Sequence, residues 1–405
     1  MLLKKRTVWL ALMLVLMLVA AACSSSDDTT TTVAATSGDD TTTTEAATSD
    51  ETGGEASTGP IWVLLPDSAS SPRWESDDRR FFDEAFTEAG VDHTIVNAEG
   101  DAATQQAQAE QAIADGASVI IMASLDAGVG GSVIDLAKAE GIPVLEYDRF
   151  NPGSSGGAVY VSFDNEAVGA TMAEVLTPLI DAIGDTPNVI MLNGGDEDNN
   201  AHLFRNGYNE TVEAKVAAGE WNLVGDQFVP GWGAGGEGVG IMEQLILGAD
   251  NDVDAVFAAN DNLATQAITA LESAGLDATV IPVSGQDATA AGMQQIVLGI
   301  QAMTVYKPIE AEAKVAAAVA LALRDGGDGY TGVSVPGFEF TVIGIAPDGQ
   351  PAALGGDGVV PYIALVPIGV TVDNIAETVI ADGFRTLAEV CEGDAGASDW
   401  CVENG

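Results

Sequence analysis

Residues Ser118–Arg149 read SVIIMASLDAGVGGSVIDLAKAEGIPVLEYDR, and this stretch decides the fold. A short apolar run (118–122) gives way to a small-residue amphipathic stretch (about 128–140), and a second apolar run follows (143–147). Strands of about five residues alternating with helices of about a dozen indicate βαβ units on a parallel sheet. Upstream, the same rhythm places strands at 61–65 and 93–97 and helices near 75–89 and 101–115. Downstream, a second series puts strands near 158–162, 188–192, 222–227, 254–258, 279–284 and 302–306. Helices fall between them near 166–182, 202–217, 236–248, 262–274 and 289–298. A helix near 308–324, an irregular Gly/Pro-rich stretch at 326–360, a strand near 361–367 and a helix near 372–382 complete the pattern.

The chain has 405 residues, too many for one growing core, so two lobes are expected. With 47% hydrophobic residues it can bury a sizeable interior. Its 61 acids against 14 Lys and Arg give a net charge of −47. That charge excludes nucleic-acid binding by phosphate neutralisation and docking on anionic lipid through a basic face. The acidity belongs to the body as well as to the N-terminal region, since residues 60–405 hold 53 acids and 11 basic residues. Acidity of this kind serves solubility and does not specify a function. It does make each basic residue conspicuous.

Lys4, Lys5 and Arg6 precede an uncharged apolar run from Val8 to Ala22 that is too short to span a bilayer. The run ends in Ala20-Ala21-Ala22-Cys23, the plan of a secretory signal at 1–22. A small-residue box before a cysteine resembles that of bacterial lipoproteins, which makes Cys23 the lipidation site, although Ala20 stands where leucine is usual. Residues 24–59 are rich in Ser, Thr, Asp and Ala, contain no aromatic residue and repeat Asp-Asp-Thr-Thr-Thr-Thr. Such a segment cannot bury enough apolar surface to order itself and reads as a tether (23–59) with a reach of roughly 30–36 Å. In an exported chain with Cys23 so used, Cys391 and Cys401 are expected to form a local disulfide in a tail at 391–405.

Ligands of open parallel sheets bind beyond the carboxyl ends of the strands, so the residues found there are a test of function. Arg73 and Trp74 follow the first strand, and Asp148 and Arg149 follow the fourth. Asp198 and Asn200, Trp232, Asn260, Asp287 and Lys307 follow strands of the second series. Asp and Asn accept from hydroxyls, Arg, Lys and Asn donate, and Trp presents a flat apolar face. That mixture suits a small polyol with hydroxyl edges and C–H faces. Taken singly, Asn260 or Asp287 could be no more than a helix cap, and a Trp in a Gly-rich loop more often packs than stacks on a ligand.

These residues stand in segments that resemble the D-xylose-binding proteins of bacterial ABC transporters, within the type I periplasmic sugar-binding family. The matching segments are Arg73-Trp74, Glu146-Tyr-Asp-Arg149, Val161-Ser-Phe-Asp-Asn-Glu166, Asp198-Asn-Asn-Ala-His-Leu-Phe-Arg205, Gly225-Asp-Gln-Phe-Val-Pro-Gly-Trp232, Asn260-Asp261, Ser284-Gly-Gln-Asp-Ala288 and Met303-Thr-Val-Tyr-Lys-Pro-Ile309. The likeness is close over about 60–310 and looser over 360–385; the 326–360 stretch and the tail fall outside it. It implies an α/β fold of two Rossmann-like lobes with parallel sheets, joined by a three-crossover hinge near Ser162, Tyr306 and Val366. The lobes would be 60–162 plus 307–365 and 163–306 plus 366–390. By resemblance, Arg73, Asp148 and Arg149 hold a sugar from the first lobe, and Asp198, Asn200, Asn260, Asp287 and the hinge residue Lys307 hold it from the second. Trp74 and Trp232 would sandwich the ring. Ser70-Ser71-Pro72 replaces larger charged residues usual in the first loop, which bears on the choice of sugar.

The resemblance implies a monomeric, lipid-anchored protein on the outer face of the membrane or in the periplasm, which hands a monosaccharide to an ABC permease. No cofactor, metal or nucleic acid is expected. Other readings are a different aldose (glucose, arabinose or galactose), a receptor feeding signalling, a glycoside hydrolase using Asp148 and Asp198, and a metal site in Asp196-Glu197-Asp198. A sugar-responsive repressor would need a DNA-binding headpiece where this chain has a leader and tether.

Overall fold

Strand residues at alternate positions point to opposite faces of a sheet. Ile61, Val63, Val119 and Ile121 enter one buried cluster, and Trp62, Leu64, Ile120 and Met122 enter another. Both faces are therefore covered, as a parallel sheet requires. The computed structural model describes residues 57–405; the leader, Cys23 and the tether up to residue 56 lie outside these. Among the described residues, no helix is long and apolar enough to cross a membrane.

The first lobe is built on β1 (Ile61–Leu65), β2 (His93–Asn97), β3 (Val119–Met122), β4 (Val144–Tyr147) and β5 (Val159–Phe163). Helices α1 (Arg79–Ala89), α2 (Ala102–Ala114) and α3 (Ala127–Ala139) connect them. The second lobe holds β6 (Asn188–Asn193), β7 (Asn222–Phe228) and β8 (Ala255–Ala258), with α4 (Asn165–Asp181), α5 (Asn199–Ala217), α6 (Glu237–Gly248), α7 (Asp261–Ser273) and α8 (Ala290–Val297). Strand β9 (Thr304–Tyr306) then leads to α9 (Ile309–Arg324), which packs back on α1 and β5 of the first lobe. Strands β10 (Phe340–Ile345), β11 (Pro351–Ala352) and β12 (Val360–Leu365) complete an eight-stranded sheet in the order β11-β10-β12-β5-β4-β3-β1-β2. The chain returns through β13 (Ile368–Val370), antiparallel to β9. It thus passes between the sheets after Phe163, after Tyr306 and after Leu365, as the three-crossover fold demands.

Helices α4 and α5 approach each other closely because both carry glycine at the contact. A Cβ on Gly169 would lie 2.0 Å from the Phe204 carbonyl oxygen, and one on Gly207 would lie 2.1 Å from that of Glu166. This contact sets the position of α5, whose first turn points at the hinge.

Three local expectations are corrected. Residues 279–284 form no strand: only Val283 and, beyond it, Gln286 make isolated bridges, to Val256 and Val305, and Pro282 lacks the N–H a ladder needs. The 326–360 stretch is not irregular throughout, since Phe340–Ile345 pairs antiparallel with β12 along its whole length. The helix expected over 372–382 shrinks to a wide helical turn at Ala376–Ile380. Beyond it, α10 (Leu387–Val390) and α11 (Asp399–Asn404) pack on α8, and a disulfide joins Cys391 to Cys401.

Candidate functional site

The loop after β1 is shaped by Asp67, whose carboxylate accepts from the Ala69 N–H at 2.8 Å and the Ser70 hydroxyl at 2.7 Å. That turn delivers Ser70, Ser71 and Arg73 to the cleft. Arg73 is buried and its guanidinium is almost fully used. Nε and Nη2 fork onto Asp78 at 2.9 and 2.8 Å, Nη2 also reaches Glu312 at 2.8 Å, and Nη1 reaches Asp148 at 3.0 Å. Tyr147 donates its hydroxyl to the same Asp78 at 2.5 Å. A bidentate fork of this kind fixes the plane of the guanidinium as well as its charge.

Asp148 sits at the centre with φ +59°, a left-handed backbone that aspartate tolerates better than most residues. Its Oδ2 takes Arg73 and, at 3.1 Å, the hinge residue Lys307. Its carbonyl oxygen accepts from Asn200 (2.8 Å), Tyr160 (2.9 Å) and Ser162 (3.0 Å). Burial alone would raise the Asp148 carboxyl, but Lys307, Arg73 and Arg149 together hold it well below the usual carboxylate range. Behind it, burial pushes Glu312 up to about 8 despite Arg73 nearby, and burial likewise raises Asp78. Three buried cations, Arg73, Arg149 and Lys307, thus face four buried carboxyls, Asp78, Asp148, Asp198 and Glu312.

From the second lobe, Asp198 caps α5 by accepting the Asn200 N–H at 2.9 Å, and it also accepts from the Trp232 indole at 3.1 Å. Arg149 of the first lobe lies 3.1 Å from the same carboxylate while donating to the Ser124 carbonyl at 3.0 Å. Burial raises the Asp198 carboxyl, and Arg149 opposes that rise. Trp232 itself has φ +55°, and its ring packs edge-on against Phe204 at 5.8 Å. Asn260 caps α7 through its oxygen, which accepts from the Leu263 N–H at 2.8 Å, so it is both a cap and a cavity residue. Asp287, at φ +100°, accepts from Ser71 across the cleft at 3.3 Å. Three left-handed non-glycine residues at one cavity (Asp148, Trp232, Asp287) mark a place where the fold accepts strain to aim side chains.

These groups line one cleft between the lobes, which leaves only about 30 Å³ of free space among their side chains. All ten residues read from the strand ends line it: Arg73, Trp74, Asp148, Arg149, Asp198, Asn200, Trp232, Asn260, Asp287 and Lys307. Ser70, Ser71, Phe204 and Gln286 line it too and were not among the ten. Phe204 lies one helical turn after Asn200, a periodicity that could have found it. The supporting layer of Asp78, Tyr147 and Glu312 carries no sequence signal, because it depends on which helices pack behind Arg73. Trp74 does not stand alone as a face: the Arg73 guanidinium lies 4.3 Å and that of Arg149 5.5 Å from its ring centre. The three acids at 196–198 take separate directions. Asp198 faces the cavity, Glu197 accepts the Gly231 N–H at 2.7 Å, and Asp196 pairs with His202 at the surface.

A cleft between two lobes lined by matched donors, acceptors and aromatic faces has the chemistry to hold one small polar molecule. The model of the periplasmic binding protein domain matches residues 62–328. The chain belongs to the periplasmic binding protein family. Among periplasmic binding proteins it is similar to the D-xylose-binding periplasmic protein of Escherichia coli K12, with 36% identity over 318 residues covering 78% of this chain and 88% of the relative. The protein of the same name from Haemophilus influenzae is 37% identical over 327 residues, 81% of this chain and 91% of the relative. A solved structure, the carbohydrate transporter solute-binding protein from Chloroflexus aurantiacus in complex with D-glucose, superposes with a TM-score of 0.68 at 26% identity, covering 81% and 97% of the two chains.

Proposed function

We propose that this protein is the extracytoplasmic substrate-binding component of an ABC importer and that it captures one monosaccharide, D-xylose foremost. The observation that carries the reading is the convergence of ten strand-end residues from two lobes on one cleft. In the closed form Arg73, Arg149, Lys307 and the Asn200 and Asn260 amides donate to ring and hydroxyl oxygens. Asp148, Asp198 and Asp287 accept from hydroxyls, and Trp74 and Trp232 cover the C–H faces. Opening at the three crossovers admits the sugar, closure buries it, and the closed form is what a membrane permease meets. Cys23 would carry the lipid that keeps the monomeric protein at the membrane.

Catalysis is disfavoured by the same geometry. Asp148 is held ionised between two cations and Asp198 is tied to Arg149 and Trp232, so neither is poised to pass a proton to a glycosidic oxygen. A second aldose is the competing ligand, favoured by the glucose held in the Chloroflexus structure. Titration calorimetry with D-xylose, D-glucose, L-arabinose, D-galactose and D-ribose tests the reading. Saturable heat with one of them, strongest with xylose, is expected, and no heat with any of them would sink it.

A further inference from the structure

Two segments lie beyond the residues matched by the family model, 62–328: the β10–β11 hairpin with its flanks, and the tail after β13. Each makes a contact that joins the lobes away from the cavity. In the hairpin, residues Ala346–Gln350 form a turn closed by the Ala346 N–H on the Gln350 carbonyl and the Gly349 N–H on the Ala346 carbonyl, both at 2.8 Å. The Gly153 N–H, in the loop after β4, donates to the Pro347 carbonyl at 2.7 Å and fastens the turn to the first lobe. The Gly349 carbonyl then accepts from the Asn199 side chain at 3.1 Å, at the first turn of α5 in the second lobe. Asn206, two turns further along the same helix, reaches Gln350 at 3.4 Å. The fit is tight, since a Cβ on Gly349 would lie 2.3 Å from the Asn199 oxygen.

The tail is tied to α8 of the second lobe, while its Ile375, Val379 and Phe384 also join the buried cluster that holds Phe82 and Val315 of the first. Gln294 of α8 donates to the Glu389 carbonyl at 2.8 Å, and Arg385 Nε donates to the Ala288 carbonyl at 3.0 Å. A capping box between Thr386 and Glu389 and the Cys391–Cys401 disulfide hold the tail in shape. From this platform Arg385 Nη1 comes within 3.8 Å of Asp77 Oδ2, a buried carboxylate in the helical turn that follows Arg73 in the first lobe. Asp77 otherwise takes only the half-exposed Arg80 at 3.5 Å and the Ser76 hydroxyl at 2.7 Å. Asn199 and Arg385 adjoin the cleft at different points of the seam, and neither lines the cavity.

We propose that the hairpin turn and the tail are two closure latches. Asn199–Gly349 and Arg385–Asp77 exist only when the lobes meet, so they favour the closed form over the open one and prolong the stay of a captured sugar without touching it. This rests on the reading that a monosaccharide binds in the cleft. Asn199–Gly349 is worth about one net hydrogen bond, a factor of about three to ten in the closed-to-open ratio, and the longer Arg385–Asp77 ion pair is worth less, about two- to threefold.

The test uses the full chain, with Asn199→Ala, Arg385→Ala, Arg385→Lys and the double alanine variant. Stopped-flow tryptophan fluorescence with D-xylose, or with whichever aldose binds the wild type, reads association and dissociation. Dissociation should speed up about three- to tenfold in Asn199→Ala, about two- to threefold in Arg385→Ala and multiplicatively in the double variant, with association little changed. Arg385→Lys should recover part of the loss. Added salt should accelerate dissociation more in the wild type than in Arg385→Ala, where Arg149–Asp198 still crosses the cleft, a signature that a merely structural arginine would not give. If the wild type binds and all variants release sugar at its rate, the latches are refuted. If the wild type binds no sugar, the functional reading fails instead, and small-angle scattering of the sugar-free proteins decides the latches: a larger radius of gyration in the double variant supports them and an equal one refutes them. Should Arg385→Ala fail to fold, Asn199→Ala and Arg385→Lys carry the same decision.

Discussion

Asp148→Asn isolates the electrostatic centre of the cleft. The change keeps the shape and removes one charge from a carboxylate that Arg73 approaches at 3.0 Å and Lys307 at 3.1 Å. Both cations reach the same oxygen, so an asparagine oxygen there can still accept from both, but as a neutral acceptor it no longer offsets their charge. Asp78 and Glu312 remain as partners for Arg73, so the bereft group is Lys307, which is only 3% exposed. Breaking a buried pair by removing one partner costs about 3–5 kcal/mol. The lower end applies here, because Lys307 retains the π faces of Phe163 and Phe204 at 5.7 and 5.8 Å. A loss of about 3 kcal/mol corresponds to roughly a 150-fold weaker affinity where the cost falls on the sugar-bound form. Where it falls on folding, it lowers the melting temperature by about 4 °C. Calorimetric titration with D-xylose and differential scanning of the same sample measure both. Affinity within fivefold of wild type together with an unchanged melting temperature would refute the role given to this carboxylate.

Gly194→Ala would place a Cβ 2.4 Å from the far edge of the Trp232 ring, so the indole must shift while the fold persists. Sugar affinity should fall at least about tenfold with little change in melting temperature; equal affinity would show that Trp232 does not cover the ligand. Burial raises Glu146 to about 7, Asp261 to about 6 and Glu312 to about 8, all above their unfolded values. The folded state then binds more protons than the unfolded state between about pH 4.5 and 8, so stability falls as pH rises through that window. Melting temperatures should be higher at pH 5.5 than at pH 8, with a shallower slope in Glu312→Gln; a rise toward pH 8 would contradict the burial of these carboxyls. Cys23→Ser should move the protein from the membrane fraction to the soluble fraction on cell fractionation, and unchanged membrane association would exclude the lipid anchor.

Much of this protein could be read before its structure, for a physical reason. Short apolar runs that alternate with amphipathic stretches leave few arrangements, and a parallel sheet collects its ligands at one set of strand ends. The scarcity of basic residues then made Arg73, Arg149 and Lys307 stand out. What escaped reading depends on long-range packing. Asp78 and Glu312 look like ordinary helix acids until α1 and α9 bring them behind Arg73. Phe340–Ile345 is a good strand sequence, but the glycines and prolines around it hid its pairing with β12. Pro282 broke a strand whose apolar run was otherwise convincing. The left-handed backbones of Asp148, Trp232 and Asp287 have no local signal, since each is imposed by the contacts around it.

The strand at one border of the large sheet has a consequence outside ligand capture. Without the hairpin, β12 would present its open row of N–H and C=O groups to neighbouring molecules, a template for intermolecular pairing. Strand β10 covers that row, and β11 ends the sheet after two residues, one of them Pro351, which has no N–H to offer. Pro351 and Ala352 close only the end of β10 at Gly344 and Ile345, so the hairpin shortens the open row to Phe340–Ile343 rather than abolishing it.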